Sequence, residues 1–118
     1  MKVSEFAGLC GGKLLTEAGA GNEISCGYTC DLLSHVMASG REGMAWITVQ
    51  THMNVVAVAS LHDLACVIIP EGIAVDQLIL SKAEEEGVAV VSSGKTAYEL
   101  AALMSGAGIA PAVQTPAE

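Results

Sequence analysis

The pattern of hydrophobic and polar positions is clearest from residue 44 onward. Three short runs, residues 44–49, 66–69 and 88–91, are almost wholly apolar. Such runs are typical of strands that are covered on both faces of a sheet. Segments of helical length separate them, as a crossover between parallel strands requires. The order is therefore βαβαβα, and right-handed crossovers give a three-layer, Rossmann-like α/β domain with a mostly parallel sheet.

The helices of this half are predicted from their ends and their apolar faces. Residues 55–58 read Val-Val-Ala-Val, which favours a strand, but the parallel crossover requires a helix there. Thr96 and Glu99 have the spacing of a capping box and open the last helix. Leu78 is expected on an inner face. The predicted helices are residues 54–64, 75–86 and 96–106.

The first 43 residues give weaker signals. Ser4 is expected to cap a first helix that ends at Gly11-Gly12. Thr29 or Asp31 is expected to cap a further helix, with Met37 on its inner face. Short strands are predicted at residues 13–16 and 24–28. The chain is read as one domain, residues 1–109, followed by a disordered tail, residues 110–118.

Composition and charge narrow the function. The chain has 118 residues, 52% of them hydrophobic, which suits one domain with its own core. Its net charge of -8 disfavours nucleic acid and anionic membrane surfaces as partners. No apolar run approaches the roughly 20 residues of a membrane span, and no signal peptide is recognised. We therefore expect a cytoplasmic protein whose four cysteines are buried, reduced thiols.

The segment Gly94-Lys95-Thr96 partly matches a nucleotide-binding phosphate loop. The full motif requires a glycine five positions before Gly94, where this chain has Ala89. The preferred interpretation is a capped helix with a solvated Lys95. A weaker alternative is a single anion held by Ser92, Ser93 and the N-terminus of the last helix.

The cysteines offer a second alternative. Cys26 and Cys30, near His35, have a spacing of three intervening residues, whereas zinc ribbons show two Cys-x-x-Cys pairs. Small buried thiols are the preferred interpretation, so no metal and no cofactor are predicted. A thiol or metal redox role remains the least favoured function.

Polar residues directly after the first buried strand give the best local argument for a site. The carboxyl ends of parallel strands are where ligands usually bind. A solvated loop in which Thr51 or Asn54 caps a helix is the plain alternative. No catalytic motif is found, so an enzyme is not predicted. The predicted ligand-binding residues are Gly27, Thr29 and Asp31 in one loop and Gln50, Thr51, His52 and Asn54 in the next.

Residues 24–34, Ile-Ser-Cys-Gly-Tyr-Thr-Cys-Asp-Leu-Leu-Ser, followed by residues 44–52, Met-Ala-Trp-Ile-Thr-Val-Gln-Thr-His, resemble the DRTGG domain. The resemblance is closest to small stand-alone members. The eponymous Asp-Arg-Thr-Gly-Gly is not intact, because residues 22–27 read Asn-Glu-Ile-Ser-Cys-Gly. The family's arginine therefore has no counterpart here.

The resemblance implies a Rossmann-like domain, similar to the non-catalytic N-terminal domain of HPr kinase/phosphorylases. Related domains accompany CBS pairs and phosphotransacetylases, and stand-alone members accompany hydrogenase-type redox proteins of anaerobes. We expect a non-catalytic regulatory or binding module, a homodimer, that senses a small metabolite or nucleotide or docks a partner enzyme. The alternative is a scaffold without a small ligand, which docks a redox enzyme through Met37, Met53 and Met104.

Overall fold

The buried apolar runs pair side by side in one sheet. The computed structural model describes residues 1–112, and within them five strands lie in the order β1-β5-β4-β3-β2. Strands β2 to β5 pair in parallel, while β1 joins β5 antiparallel at one edge. The predicted, mostly parallel sheet is confirmed. The strands are β1 (Lys13–Leu14), β2 (Cys26–Thr29), β3 (Met44–Ile47), β4 (Cys66–Ile69) and β5 (Val90–Ser92).

Helices cover both faces of this sheet. In the described part of the chain, α1 and α5 pack on one face, and α2, α3 and α4 pack on the other. Successive residues of β3 alternate between the two cores, so Trp46 faces the second helix layer and Ile47 faces the first. The three-layer architecture is confirmed. The helices are α1 (Val3–Leu9), α2 (Leu33–Ser39), α3 (Met53–Leu61), α4 (Gln77–Glu86) and α5 (Ala97–Gly106).

Helix α3 forms over the segment whose composition favours a strand. Val55, Val56, Val58 and Ala59 of this helix are buried against the sheet. The helix prediction for this segment is confirmed, because burial in the crossover outweighs the modest strand preference of valine. None of the described helices has the length and hydrophobicity needed to cross a membrane.

One of the predicted helix N-caps is confirmed, and the others are wrong. The Thr96–Glu99 capping box is confirmed: the Glu99 backbone N–H donates to Thr96 Oγ1 at 3.1 Å, and the Thr96 N–H donates to Glu99 Oε1 at 3.0 Å. Ser4 is not a cap, because the N-cap of α1 is Lys2. Neither Thr29 nor Asp31 caps α2, whose N-cap is Leu32 without a side-chain hydrogen bond.

The structure tests the predicted positions of three apolar side chains, Leu78, Met37 and Met104. Leu78 was expected on an inner face, but it is 72% exposed in the first turn of α4. Met37 was likewise expected inside and is 47% exposed. Met104 is buried, so it cannot contribute to an exposed apolar docking surface. The inner faces of these two helices are carried by Leu33 and Val36 in α2 and by Ile79, Leu80 and Ala83 in α4.

The chain continues in contact with the sheet after α5. The Gly27 N–H of β2 donates to the Ala110 carbonyl oxygen at 2.9 Å, and the Ala112 N–H donates to the Gly27 carbonyl oxygen at 2.7 Å. Residues 110–112, which the sequence assigns to a disordered tail, therefore pair with β2. Residues 113–118 of the predicted tail lie outside the described residues.

Glu84, near the end of α4, binds the loop that follows β1. Its carboxylate accepts the backbone N–H of Glu17 at 2.7 Å and of Ala18 at 2.9 Å. The loop is also held from within, because Thr16 Oγ1 donates to the Ala18 carbonyl oxygen at 3.1 Å and accepts the Val90 N–H at 3.2 Å. An exposed carboxylate thereby fixes a connection that carries few apolar contacts.

We expect Glu84→Gln to loosen this loop, because the neutral amide offers one acceptor oxygen in place of two charged ones. Amide exchange at Glu17 and Ala18 should accelerate by about tenfold, as the loss of a charge-assisted hydrogen bond implies. Native-state hydrogen exchange measures this directly. Glu85→Gln, on the same exposed turn, is the control. Equal exchange rates in the two variants would contradict the assignment.

Candidate functional site

The four parallel strands end together and bring four loops to one end of the molecule, called here the carboxyl end. Thr29 closes β2, and Asp31 follows it. Gln50, Thr51 and His52 follow β3, and Asn54 lies in the first turn of α3. Six of the seven predicted ligand-binding residues therefore lie at this end. Gly27 lies within β2, at the outer edge of the sheet.

Asp31 is the centre of a hydrogen-bond network at the carboxyl end. Its Oδ1 accepts the Thr48 hydroxyl and the Val49 N–H, each at 2.9 Å. The Gln50 side chain donates to the Asp31 carbonyl oxygen at 3.1 Å, and its backbone N–H donates to Thr48 Oγ1 at 3.2 Å. The network therefore joins two of the predicted residues, Asp31 and Gln50. It also makes Asp31 a structural anchor, since its carboxylate is committed to the next loop.

Sequence reasoning missed Thr48, which is 1% exposed and fully hydrogen-bonded in this network. A signal was present, because Thr48 is the one polar residue within the apolar run 44–49. A buried hydroxyl needs a partner, and its position at the end of a strand places that partner in a neighbouring loop.

Two further hydrogen bonds hold the backbone directly before Asp31. The indole N–H of Trp46 donates to the Cys30 carbonyl oxygen at 2.7 Å, and the Cys30 N–H donates to the Ile47 carbonyl oxygen at 3.2 Å. Trp46 is fully buried and is the single tryptophan of the chain. Its fluorescence therefore reports on the backbone directly before Asp31.

His52 and Asn54 remain available for binding. His52 is the N-cap of α3, which has no side-chain cap, and both residues are exposed. Thr51 is half-buried between them and the network. The plain alternative, in which Thr51 or Asn54 caps the helix, is not what the structure shows.

Exposed apolar side chains lie at the same end of the molecule as these polar residues. Helices α2, α3 and α4 lie side by side, and each begins at the carboxyl end. Leu32 at the N-cap of α2, Met53 at the first residue of α3 and Leu78 at the second residue of α4 are 54%, 42% and 72% exposed. Val49, bonded to Asp31, is 42% exposed. We call these four residues the carboxyl-end row.

Gly27 and Thr29 also line a cavity of about 330 Å³ at the outer edge of β2. The cavity lies between this strand, helix α5 and residues 109–112. Gly27 and Thr29 therefore lie at the strand edge, away from the hydrogen bonds of the Asp31 network.

The proposed anion alternative at the β5–α5 loop is not supported. Ser93 is buried, and its hydroxyl donates to the Cys10 carbonyl oxygen at 3.2 Å and accepts the Lys95 N–H at 3.2 Å. The start of α5 already holds the Glu99 carboxylate. Hydrogen bonds from Thr96, with a smaller contribution from Lys95, hold the pKa of Glu99 below its usual range. An incoming anion would compete with this carboxylate.

Strand geometry argues against a shared metal at Cys26 and Cys30. Both face the same core from one extended segment, four residues apart. Four residues of extended chain span roughly 13 Å, whereas thiolates of one zinc site each lie about 2.3 Å from the metal. Among residues 1–112, no group of three or more His, Cys, Asp or Glu is placed to hold a metal ion. Burial also raises the pKa of the Cys66 thiol, which disfavours its reactive thiolate.

The opposite, amino end of the sheet is acidic. A cavity of about 610 Å³ there is lined by four acidic residues, Glu23, Glu42, Asp63 and Glu86, of which Glu23 pairs with the Met1 amino group and Glu86 with Lys82. These charges repel anionic ligands. At the carboxyl end, the start of α3 has no side-chain cap, and backbone N–H groups at such a helix start favour an anion.

Comparison with known proteins supports the fold. No family model and no curated protein matches the chain. Its structure is similar to that of the CBS and DRTGG domains of the regulatory region of Clostridium perfringens pyrophosphatase, complexed with the activator diadenosine tetraphosphate. The TM-score is 0.70 at 10% sequence identity, over 87% of this chain. The chain spans 45% of the length of that solved chain. The likeness shows a DRTGG-like fold, and family membership remains a prediction.

We expect Asp31→Ala to destabilise the domain by about 2 kcal/mol, because it leaves the buried Thr48 hydroxyl and the Val49 N–H without their acceptor. Asp31→Asn keeps the shape and one acceptor oxygen, so its effect should be about half as large. Urea denaturation followed by Trp46 fluorescence measures both. An unchanged free energy of unfolding in Asp31→Ala would show that the network contributes nothing.

Proposed function

We propose that the chain is a non-catalytic regulatory module that docks on a partner protein through the carboxyl end of its sheet. The observation that carries the proposal is the carboxyl-end row, in which three neighbouring helices each present an exposed apolar side chain at their start. The DRTGG-like fold supports it, because the similar solved domains belong to a regulatory region.

The composition of this end matches a protein interface. An interface has an apolar centre and a polar rim. The row supplies Leu32, Met53 and Leu78, and exposed His52 and Asn54 supply polar groups beside them. Each fully buried leucine or methionine side chain contributes about 1.5–3 kcal/mol relative to exposure. Several such side chains at one end therefore give substantial binding free energy.

The Asp31 network makes this surface rigid before a partner arrives. Its bonds to Thr48, Val49 and Gln50 fix the loop that carries part of the row. A surface that is already ordered loses less conformational entropy on binding. In this proposal Asp31 acts as a positioning residue for the interface.

A triple variant, Leu32→Ser, Met53→Gln and Leu78→Gln, should abolish association while leaving the fold intact, because all three side chains are exposed. The matched control is Leu61→Gln, which changes a 65% exposed leucine at the other end of α3. Two measurements compare these variants with the wild type. Sedimentation velocity reports self-association, and affinity capture from extracts of the producing cells reports other partners.

Loss of a dimer in the triple variant alone would identify the partner as a second copy, in line with the predicted homodimer. Loss of a captured protein alone would identify a different partner, with a redox enzyme as the predicted class. Equal association of the triple variant and the Leu61 control would refute docking at this end.

A nucleotide ligand at the same end is the second candidate. The similar regulatory region was solved with diadenosine tetraphosphate, and the acidic amino end of this chain is unsuited to such an anion. The uncapped start of α3, with exposed His52 and Asn54, offers free backbone N–H groups to a phosphate.

We expect diadenosine tetraphosphate to change the fluorescence of Trp46 in a saturable manner, because Trp46 binds the backbone next to this site. Replacing both His52 and Asn54 with alanine should abolish the change without altering the urea midpoint. Leu61→Gln serves again as the distant control. A response that persists in the double variant would place the ligand elsewhere, and no response in the wild type would exclude this nucleotide.

A further inference from the structure

The cavity at the outer edge of β2 is formed by three separate parts of the chain. Strand β2 supplies one wall, the inner side of α5 supplies the second, and residues 109–112 supply the third. Its volume is about 330 Å³, which is at the lower end of the range of small-molecule sites. The side chains used below are Ile47, Ala101, Met104, Ser105, Ile109 and Pro111.

Gly27 shapes this cavity from the strand side. A Cβ atom at this position would lie 2.7 Å from Met104 Sδ, so the absence of a side chain lets Met104 pack directly on the strand. The backbone of Gly27 also holds the third wall, through its hydrogen bonds to Ala110 and Ala112. Gly27 therefore positions both Met104 and residues 110–112, which lie opposite this methionine in the cavity.

The lining defines what can bind. It contains no charged side chain among the described residues, and its apolar side chains include Ile47, Met104, Ile109 and Pro111. A charged ligand would lose its hydration without gaining a partner of opposite charge. The hydroxyls of Thr29 and Ser105 offer hydrogen bonds to one polar group. Methionine adapts its shape to different apolar ligands because its side chain is unbranched and flexible.

We propose that this cavity binds a small, uncharged, mostly apolar molecule with one polar group. At the volume that water occupies in the liquid, the space accommodates about ten non-hydrogen atoms. The bound molecule contacts α5 and residues 109–112 together, so it stabilises the pairing of residues 110–112 with β2. This site is separate from the carboxyl-end row and goes beyond the docking function.

Benzyl alcohol is the probe, because it has eight non-hydrogen atoms, no charge and one hydroxyl. Benzoate has nearly the same shape and carries a negative charge, so it serves as the matched ligand control. The methyl resonance of Met104 reports contact with the probe in the cavity. The exchange rate of the Ala112 amide reports the pairing of the third wall with β2.

In the wild type we expect a saturable shift of the Met104 methyl and slower exchange at Ala112 with benzyl alcohol. Benzoate should bind at least about tenfold more weakly, because its charge is not compensated in the cavity. Ala101→Leu fills the cavity and should abolish both effects. Ala102→Leu, the next residue of α5, lines a different surface and should retain them.

Ser105→Leu fills the same space from an exposed position, so it replaces Ala101→Leu if that variant fails to fold. A shift without saturation, equal binding of benzoate, or a full response in the filled variant would each overturn the proposal.

Discussion

The hydrogen bond from the Trp46 indole to the Cys30 carbonyl oxygen determines the arrangement of the carboxyl end. Trp46 is fully buried, so its N–H requires a partner inside the protein. That requirement holds the chain after β2 over the end of β3. Asp31, the next residue, then lies within reach of the Thr48 hydroxyl and the Val49 N–H. The geometry of the two loops, and with it the positions of Leu32 and Val49 in the row, depends on this sequence of contacts.

The sequence predicted the fold well because the relevant signals are local or periodic. Fully apolar runs identified β3 and β4, and the length of the crossovers placed a helix over the valine-rich segment 55–58. The Thr96–Glu99 box needs only residues three positions apart, so its geometry was predictable as well. Asp31 was predicted as a helix cap because an acidic residue precedes α2. Its true partners lie 17 and 18 residues away, and a long-range acceptor cannot be distinguished from a local cap by spacing.

The sequence predicted where the candidate site lies more accurately than what each of its residues does. The rule that strands end at a common side placed six predicted residues at the carboxyl end. It could not show that Asp31 and Gln50 bind neighbouring backbone while His52 and Asn54 remain exposed. The apolar members of the row were missed for a different reason. Helical periodicity assigned Leu78 to the core, but the residues of α4 that pack on the sheet are Ile79, Leu80 and Ala83, and Leu78 lies outside this face.

The proposed cavity lies against the edge strand β2, and the loop after this strand leads to the proposed docking surface. An edge strand leaves backbone N–H and C=O groups unpaired, and such groups favour association with another chain. Pairing the whole edge would require another strand along its full length. Within the described residues, the backbone hydrogen bonds between residues 110–112 and β2 are made by Gly27, and an apolar cavity lies between these residues and α5. The end of the same strand leads through Cys30 into the Asp31 network. The proposed ligand would therefore fix residues 110–112 against the same strand whose end leads into the proposed docking surface.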